Sequence, residues 1–248
     1  MSAARSAIAK VVRDSLDVAV PAIDSIQFAI KSAATRMLDD LPRFAQLRLG
    51  TAESVWAAIL FVDLRGSTER ARRVGARDTY LTMHALLPAL AFVTGEHAGF
   101  IAGFRGDGLF AAFGLTQSGV NPDELDRGWQ VQQAAICGQT MVQAVREVVN
   151  LTLQEYGVPA DLRIGVGVDC GQVVITRIGL MEGHETTAYG DAVNTSAKLS
   201  SADGVIFLSQ SAYSVYPSGP GGLVTFEADV INGTTGYRPN FPASFLGD

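Results

Sequence analysis

The chain has 248 residues, 48% of them hydrophobic, with 19 Lys and Arg against 25 Asp and Glu for a formal net charge of −6. That length admits one catalytic domain with a sizeable core and a short helical appendage, and a charged fraction of only 18% puts much of the chain inside a fold or an interface. A pI near 5.1 lacks the basic footprint of a general nucleic-acid binder, so no nucleic acid is expected as a partner.

Cys137 and Cys170 make neither a disulfide framework nor a zinc site and read as buried thiols. His84, His97 and His184 have no metal-ligand spacing, so any metal falls to carboxylates. The most apolar stretch, Val55 to Val62, is too short to span a bilayer. Arg5, Lys10, Arg13 and Asp14 interrupt any signal-type apolar run at the N-terminus. A cytoplasmic chain with no transmembrane segment is expected.

Residues 1–50 are rich in Ala and Ile and are divided by Pro21. Ile26, Ile30, Ala33, Met37 and Leu41 recur at helical spacing, and Pro42 is expected to end that helix. This N-terminal helical segment would pack on the domain or on a partner; Asp14, Asp17 and Asp24 disfavour a membrane-surface role. The domain proper is expected over 51–248. Val55–Val62 reads as a central strand covered on both faces and ends in the polar turn Asp63-Leu64-Arg65-Gly66-Ser67-Thr68. A helical region follows to about Ala98. Phe100–Phe104 and Leu109–Phe113, separated by Arg105-Gly106-Asp107-Gly108, read as a β-hairpin. A long helix is expected over Glu124–Tyr156, then strands at Leu162–Val168 and Gln172–Thr176, a helix at Ala192–Ser201 and a strand at Val205–Leu208. The order strand, helix, hairpin, helix, strand is a ferredoxin-like βαββαβ core, an α+β fold of the α/β sandwich kind.

Asp63 ends a buried strand and Asp107 sits at a hairpin tip. Each alone suits a turn former, since Asp-Gly is itself a hairpin signal. In a ferredoxin-like sheet the first strand and the hairpin lie side by side, which could bring the two aspartates together. Adjacent carboxylates without histidine suit hard cations such as Mg²⁺ or Mn²⁺. Two such ions can clamp a triphosphate, one activating an attacking hydroxyl and the other steadying the phosphates.

Phe61-Val62-Asp63-Leu64-Arg65-Gly66-Ser67-Thr68, Gly106-Asp107-Gly108 with Phe113-Gly114, Leu162-Arg163-Ile164-Gly165-Val166-Gly167 with Gly171-Gln172-Val173-Val174, and Tyr189-Gly190-Asp191-Ala192-Val193-Asn194 with Lys198-Leu199 form four ordered blocks. Together they resemble the catalytic domain of class III nucleotidyl (adenylate/guanylate) cyclases. The resemblance implies that Asp63 and Asp107, with the Leu64 carbonyl, hold two Mg²⁺ or Mn²⁺ ions. It implies that Arg65, Gly66, Ser67, Thr68 and Arg163 contact phosphates; the turn opens a helix whose N–H groups suit such oxygens. Asn194 would orient the ribose, and Lys198 would stabilise the transferring phosphate. It also implies a head-to-tail homodimer, with Asn194 and Lys198 completing the partner's site.

Three positions depart from the family pattern. Lys198 replaces an arginine and keeps the charge without the bidentate fork. Gly103 stands where adenylate cyclases place a purine-reading lysine, and its usual partner position holds Thr187. Arg105, on the same strand face as Gly103, either reaches into this base pocket or pairs with a nearby acid. Ser67 replaces a frequent phenylalanine. These changes resemble the pyrimidine cyclases of Pycsar antiphage systems, implying UTP or CTP as substrate, cyclic UMP or cyclic CMP as product, and a downstream cyclic-nucleotide effector protein. The alternatives are an adenylate or guanylate cyclase, or a catalytically silent nucleotide-binding dimerisation module. A diguanylate cyclase would need a Gly-Gly-(Asp/Glu)-Glu-Phe hairpin, which Arg105–Leu109 does not supply.

Overall fold

A computed structural model describes residues 2–22, 35–115, 124–180, 183–217 and 223–242. The apolar run beginning at Val55 lies in strand β1 (Ala52–Leu64), whose residues alternate between two cores. Trp56, Ala58, Leu60, Val62 and Leu64 enter one, and Val55, Ala57 and Ile59 enter the other. This is the period-2 alternation of a strand covered on both sides.

β1 pairs antiparallel with β3 (Gly108–Phe113) and with β4 (Ile164–Leu180), and β2 (Phe100–Arg105) forms the expected hairpin with β3. The sheet continues beyond β4 through β6 (Ile206–Ser209), β8 (Thr234–Asn240) and β7 (Thr225–Ile231), while β5 (Gly183–Tyr189) pairs with the far end of β4. The order β2-β3-β1-β4 is that of a ferredoxin-like core.

Helix α1 (Ser2–Ala22) lies over one face, burying Ile8, Val12, Leu16 and Ala19. The same core takes side chains from α3 (Ser67–Glu96), α4 (Glu124–Ala144) and α5 (Asn150–Glu155). α4 and α5 run on through a π turn at Val145–Val149, matching the single long helix expected there. α3 is two helices in one, kinked at Gly75 (φ 81°, ψ 178°).

The opposite face is covered by a strap comprising a 3₁₀ turn, Leu38–Asp40, and α2 (Pro42–Ala45). Leu38, Leu41 and Phe44 are buried there with Ala102, Phe110 and Val173. The strap runs from the edge of β2, where the Ile101 N–H donates to the Arg36 carbonyl at 2.7 Å, to β4, where Arg177 Nη1 donates to the Ala45 carbonyl at 3.0 Å.

Several expectations need correction. Of the helix expected on Ile26, Ile30, Ala33, Met37 and Leu41, the first three positions lie outside the described residues. Met37 instead bridges to Ile101 as extended chain, and Leu41 is an extended cap. Pro42 starts a helix rather than ending one, because at the first helical position its missing N–H costs nothing. The two strands expected at Leu162–Val168 and Gln172–Thr176 are one 17-residue strand. Pairing with β1 from Ala52↔Thr176 to Leu64↔Ile164 carries it straight through Gly171. Strand β5, helix α7 (Gln210–Val215) and the β7–β8 hairpin had no counterpart in the expected elements. Among the described residues no helix is long and apolar enough to cross a membrane.

The strap's anchor can be tested directly. Phe44→Ala removes a fully buried ring and should lower unfolding free energy by about 3 kcal/mol in urea titration.

Candidate active site

Asp63 stands at the end of β1, on the face shared by Ile59 and Phe61, opposite Gly165 of β4. Asp107 occupies the two-residue turn between β2 and β3. What brings them together is Gly108, where an added Cβ would lie 2.0 Å from the Val62 carbonyl oxygen and 3.2 Å from Asp63 Cα. Only a residue without a side chain lets the hairpin turn close onto the strand end.

The electrostatics register this proximity. Burial and the neighbouring Asp107 charge raise the Asp63 carboxyl above the usual carboxylate range, while Arg65 opposes them. Arg65 Nη1 donates to Asp63 Oδ2 at 2.9 Å and to the Ser200 carbonyl at 3.3 Å. Asp107 Oδ2 is buried with no hydrogen-bond partner. A buried, unpartnered carboxylate oxygen costs roughly 1–3 kcal/mol or more. A hard cation shared with Asp63 would remove that cost, so the residues present fit Mg²⁺ or Mn²⁺ held by oxygen ligands. Among the described residues no group of three or more His, Cys, Asp or Glu converges on one point. A metal held by this pair would therefore draw its remaining ligands from backbone and other oxygen donors.

A cavity of about 340 Å³ adjoins the pair, lined by Leu64, Ser67, Thr68, Arg70, Gly106 and Asp107 among others. Gly66 turns the chain with φ 64°, and Ser67 opens α3, so the first N–H groups of that helix face this region. Arg70, absent from the sequence-based site, is buried and donates to the Pro159 carbonyl. Arg163 forms an ion pair with Asp203 at 2.6 Å.

Asn194 and Lys198 lie on α6 (Asp191–Leu199), one turn apart on an exposed face. α6 and the turn that follows it rest directly on β4 through two glycines. A Cβ at Gly167 would come within 2.0 Å of the Ser196 carbonyl, and one at Gly165 within 2.0 Å of the Ala202 carbonyl. Buried Asp169 of β4 accepts from Ser209, whose own Oγ caps α7 by accepting from the Ala212 N–H at 3.0 Å.

The third group gathers where β5 curls across to β2. Arg105 Nη1 donates to Glu185 Oε1 at 2.9 Å and Nη2 to Thr187 Oγ1 at 3.0 Å. Its guanidinium lies 5.2 Å from the Phe110 ring centroid. Of the two courses open to Arg105, the structure shows the pairing with an acid, together with a hydrogen bond to Thr187. Gly103 forms the floor beneath it, where a Cβ would meet Glu185 Oε1 and Phe110 Cε1 at 2.8 Å and Arg105 Nη1 at 3.0 Å. Sequence reasoning missed Glu185. The available signal was strand alternation, which puts residue 185 on the same face as residue 187.

Two measurements check this geometry. Mn²⁺ should raise the thermal midpoint of the native protein and lose that effect in Asp107→Asn. Gly167→Ala should cost about 1–3 kcal/mol in urea unfolding, because α6 must lift off the sheet.

Residues 51–227 match the family model of the adenylate and guanylate cyclase catalytic domain. An uncharacterised protein of Mycobacterium tuberculosis is 29% identical over 143 residues, covering 58% of this chain and 23% of its own length. An adenylate cyclase of Anabaena cylindrica is 24% identical over 155 residues, covering 62% of this chain and 28% of its own length. The chain thus spans about a quarter of the length of the curated relatives it matches. The crystal structure of the adenylyl cyclase CyaB from Pseudomonas aeruginosa superposes with TM-score 0.65 at 20% identity, covering 79% of this chain and all of that one. That of the guanylyl cyclase Cya2 gives 0.64 at 23% identity, covering 78% and 95%. With the family model spanning well over half of its residues, the chain belongs to the adenylate and guanylate cyclase catalytic domain family.

Proposed function

We propose that this chain is an active nucleotidyl cyclase that takes a pyrimidine nucleoside triphosphate, UTP or CTP, and releases a 3′,5′-cyclic nucleotide and pyrophosphate. The reaction joins the ribose 3′ oxygen to the α-phosphorus and breaks the bond to the bridging β-phosphate oxygen, with the hydroxyl proton passing to solvent. Mg²⁺ or Mn²⁺, two ions per site, would supply charge neutralisation and a more acidic 3′ hydroxyl. Asp63 and Asp107, with the Leu64 carbonyl, would hold them. Ser67 and Thr68 at the start of α3, with Arg65 and Gly66 before them, receive phosphate oxygens, and Arg163 joins them by leaving Asp203. Lys198 supplies a point charge to the transferring phosphate, and Asn194 orients the ribose.

Asn194 and Lys198 are exposed on α6, as groups that complete a second copy's site must be. Phe104, Val174, Ile178 and Tyr189 are large exposed hydrophobics on β2, β4 and β5. Such apolar surface supports a head-to-tail homodimer with the sites at its interface. Action in the cytoplasm, and a product serving as an antiphage second messenger read by an effector protein, complete the proposal; they rest on the Pycsar resemblance.

The base assignment is carried by one observation: the Arg105–Glu185 pair lies over Gly103, where a purine-reading lysine would need to stand. The pair makes the pocket shallower and favours a single ring. Glu185 beside Arg105 also offers an acceptor next to a donor, which suits the O6 and N1–H edge of guanine. GTP is therefore the competing substrate.

Incubation with each of the four NTPs and Mn²⁺ tests both readings. Cyclic UMP or cyclic CMP should dominate. Cyclic GMP as main product would move the assignment to guanylate cyclase, and cyclic AMP alone would overturn it. Nucleotide binding without any turnover would make the chain a silent module. Lys198→Ala should lower kcat by about 10²–10³, with Lys198→Arg retaining activity.

A further inference from the structure

Asp39 belongs to the strap, on the far side of β5 from Arg105. Its Oδ1 accepts a hydrogen bond from Thr186 Oγ1 at 2.6 Å and lies 3.8 Å from Arg177 Nη2. Thr186 and Arg177 are register partners between β5 and β4, so one carboxylate spans both strands. Thr186 is buried and sits between Glu185 and Thr187, the two residues that hold Arg105. Alternation turns residue 186 to the strap and residues 185 and 187 toward Arg105.

Among the described residues β5 pairs with β4 alone, so no ladder sets its distance from β2. The strap can set it, because it is anchored at both ends. It bonds to Ile101 of β2 through the Arg36 carbonyl, receives Arg177 on the Ala45 and Leu47 carbonyls, and buries Leu38 and Leu41 in the core that contains Phe110. The Met37 N–H donates to Asp40 Oδ2 at 2.7 Å, which fixes the turn that presents Asp39.

We propose that Asp39 is a positioning residue for base recognition: by pinning Thr186 it sets the spacing between β5 and β2, and with it the placement of Arg105. It touches no part of the base. The inference rests on assigning Arg105, Glu185 and Thr187 to the base pocket. Displacing a recognition group by about 1 Å can cost up to about a hundredfold in rate, and loss of one hydrogen bond on a strand still paired to β4 should cost about tenfold.

The readout is the ratio of kcat/KM between the best and second-best NTP, whichever bases these are, together with the thermal midpoint. The same ratio is taken from equilibrium binding of α,β-methylene analogues, so a chain without turnover still reports. Asp39→Ala and Thr186→Val should each lower the ratio about tenfold, with no further fall in the double variant, as expected of residues acting as one unit. Asp39→Asn should keep most of it, because the amide oxygen still accepts from Thr186. An unchanged ratio in Asp39→Ala, or a fall that Thr186→Val does not share, overturns the proposal. Arg105→Ala separates the two levels. If it leaves the ratio unchanged, the base-pocket assignment itself fails; if it lowers the ratio and Asp39→Ala does not, only the role of Asp39 fails.

Discussion

Everything in this molecule is placed relative to β1, a strand buried on both faces. Its even-numbered residues from Trp56 to Leu64 face the helical layer, and Val55, Ala57 and Ile59 face the strap. A slip of one residue would exchange the two sets, putting Trp56 where Val55 packs and leaving both cores misfilled. The register with β3 and β4 is therefore fixed by packing as well as by backbone hydrogen bonds. Asp63 inherits that precision, because it is the next residue on the strap face after Phe61. Its position is set by the core and the ladder with β4, and Arg65 holds its carboxylate.

From this fixed point the site is assembled by absences of side chain. Gly108 admits the hairpin turn to the end of β1, and Gly165 and Gly167 admit α6 to β4. In each place backbone meets backbone at a distance no Cβ allows. These three glycines of the ordered sequence blocks thus have a packing reason, separate from whatever the neighbouring polar residues do. The result is that Asp63 and Asp107 are held by the sheet, while Asn194 and Lys198 are held by a short helix seated on it. These are rigid supports of the kind that keep a polar constellation in place.

The Arg105 cluster depends on a different constraint. The sheet curls until β5 reaches β2, and Arg105 spans the gap to Glu185 and Thr187 while resting on Phe110. The strap fills the inside of that curl, and Phe110 belongs to the core it seals. The space above Gly103 is consequently shared between polar groups on one side and packing groups on the other. Both a salt-bridged pair and a ring occupy the volume that a longer side chain at position 103 would claim. The geometry of this cluster is thereby tied to the fold's second core.

The sequence by itself determined the βαββαβ order, the hairpin bearing Asp107 and the strand ending at Asp63. It did so because hydrophobic periodicity and glycine turns are local signals, written within a few residues of one another. It also set the four motif blocks in order. What it could not determine were features with partners far along the chain. The continuity of β4 through Gly171 depends on the ladder with β1, more than a hundred residues earlier. The strap reads as helix by spacing but is drawn into extended chain and short turns by β2 and Arg177. Glu185 joined the Arg105 cluster only when β5 curled to meet it, 80 positions away. Only the tertiary structure decided those points, because each is a contact between elements whose local patterns carry no information about the other.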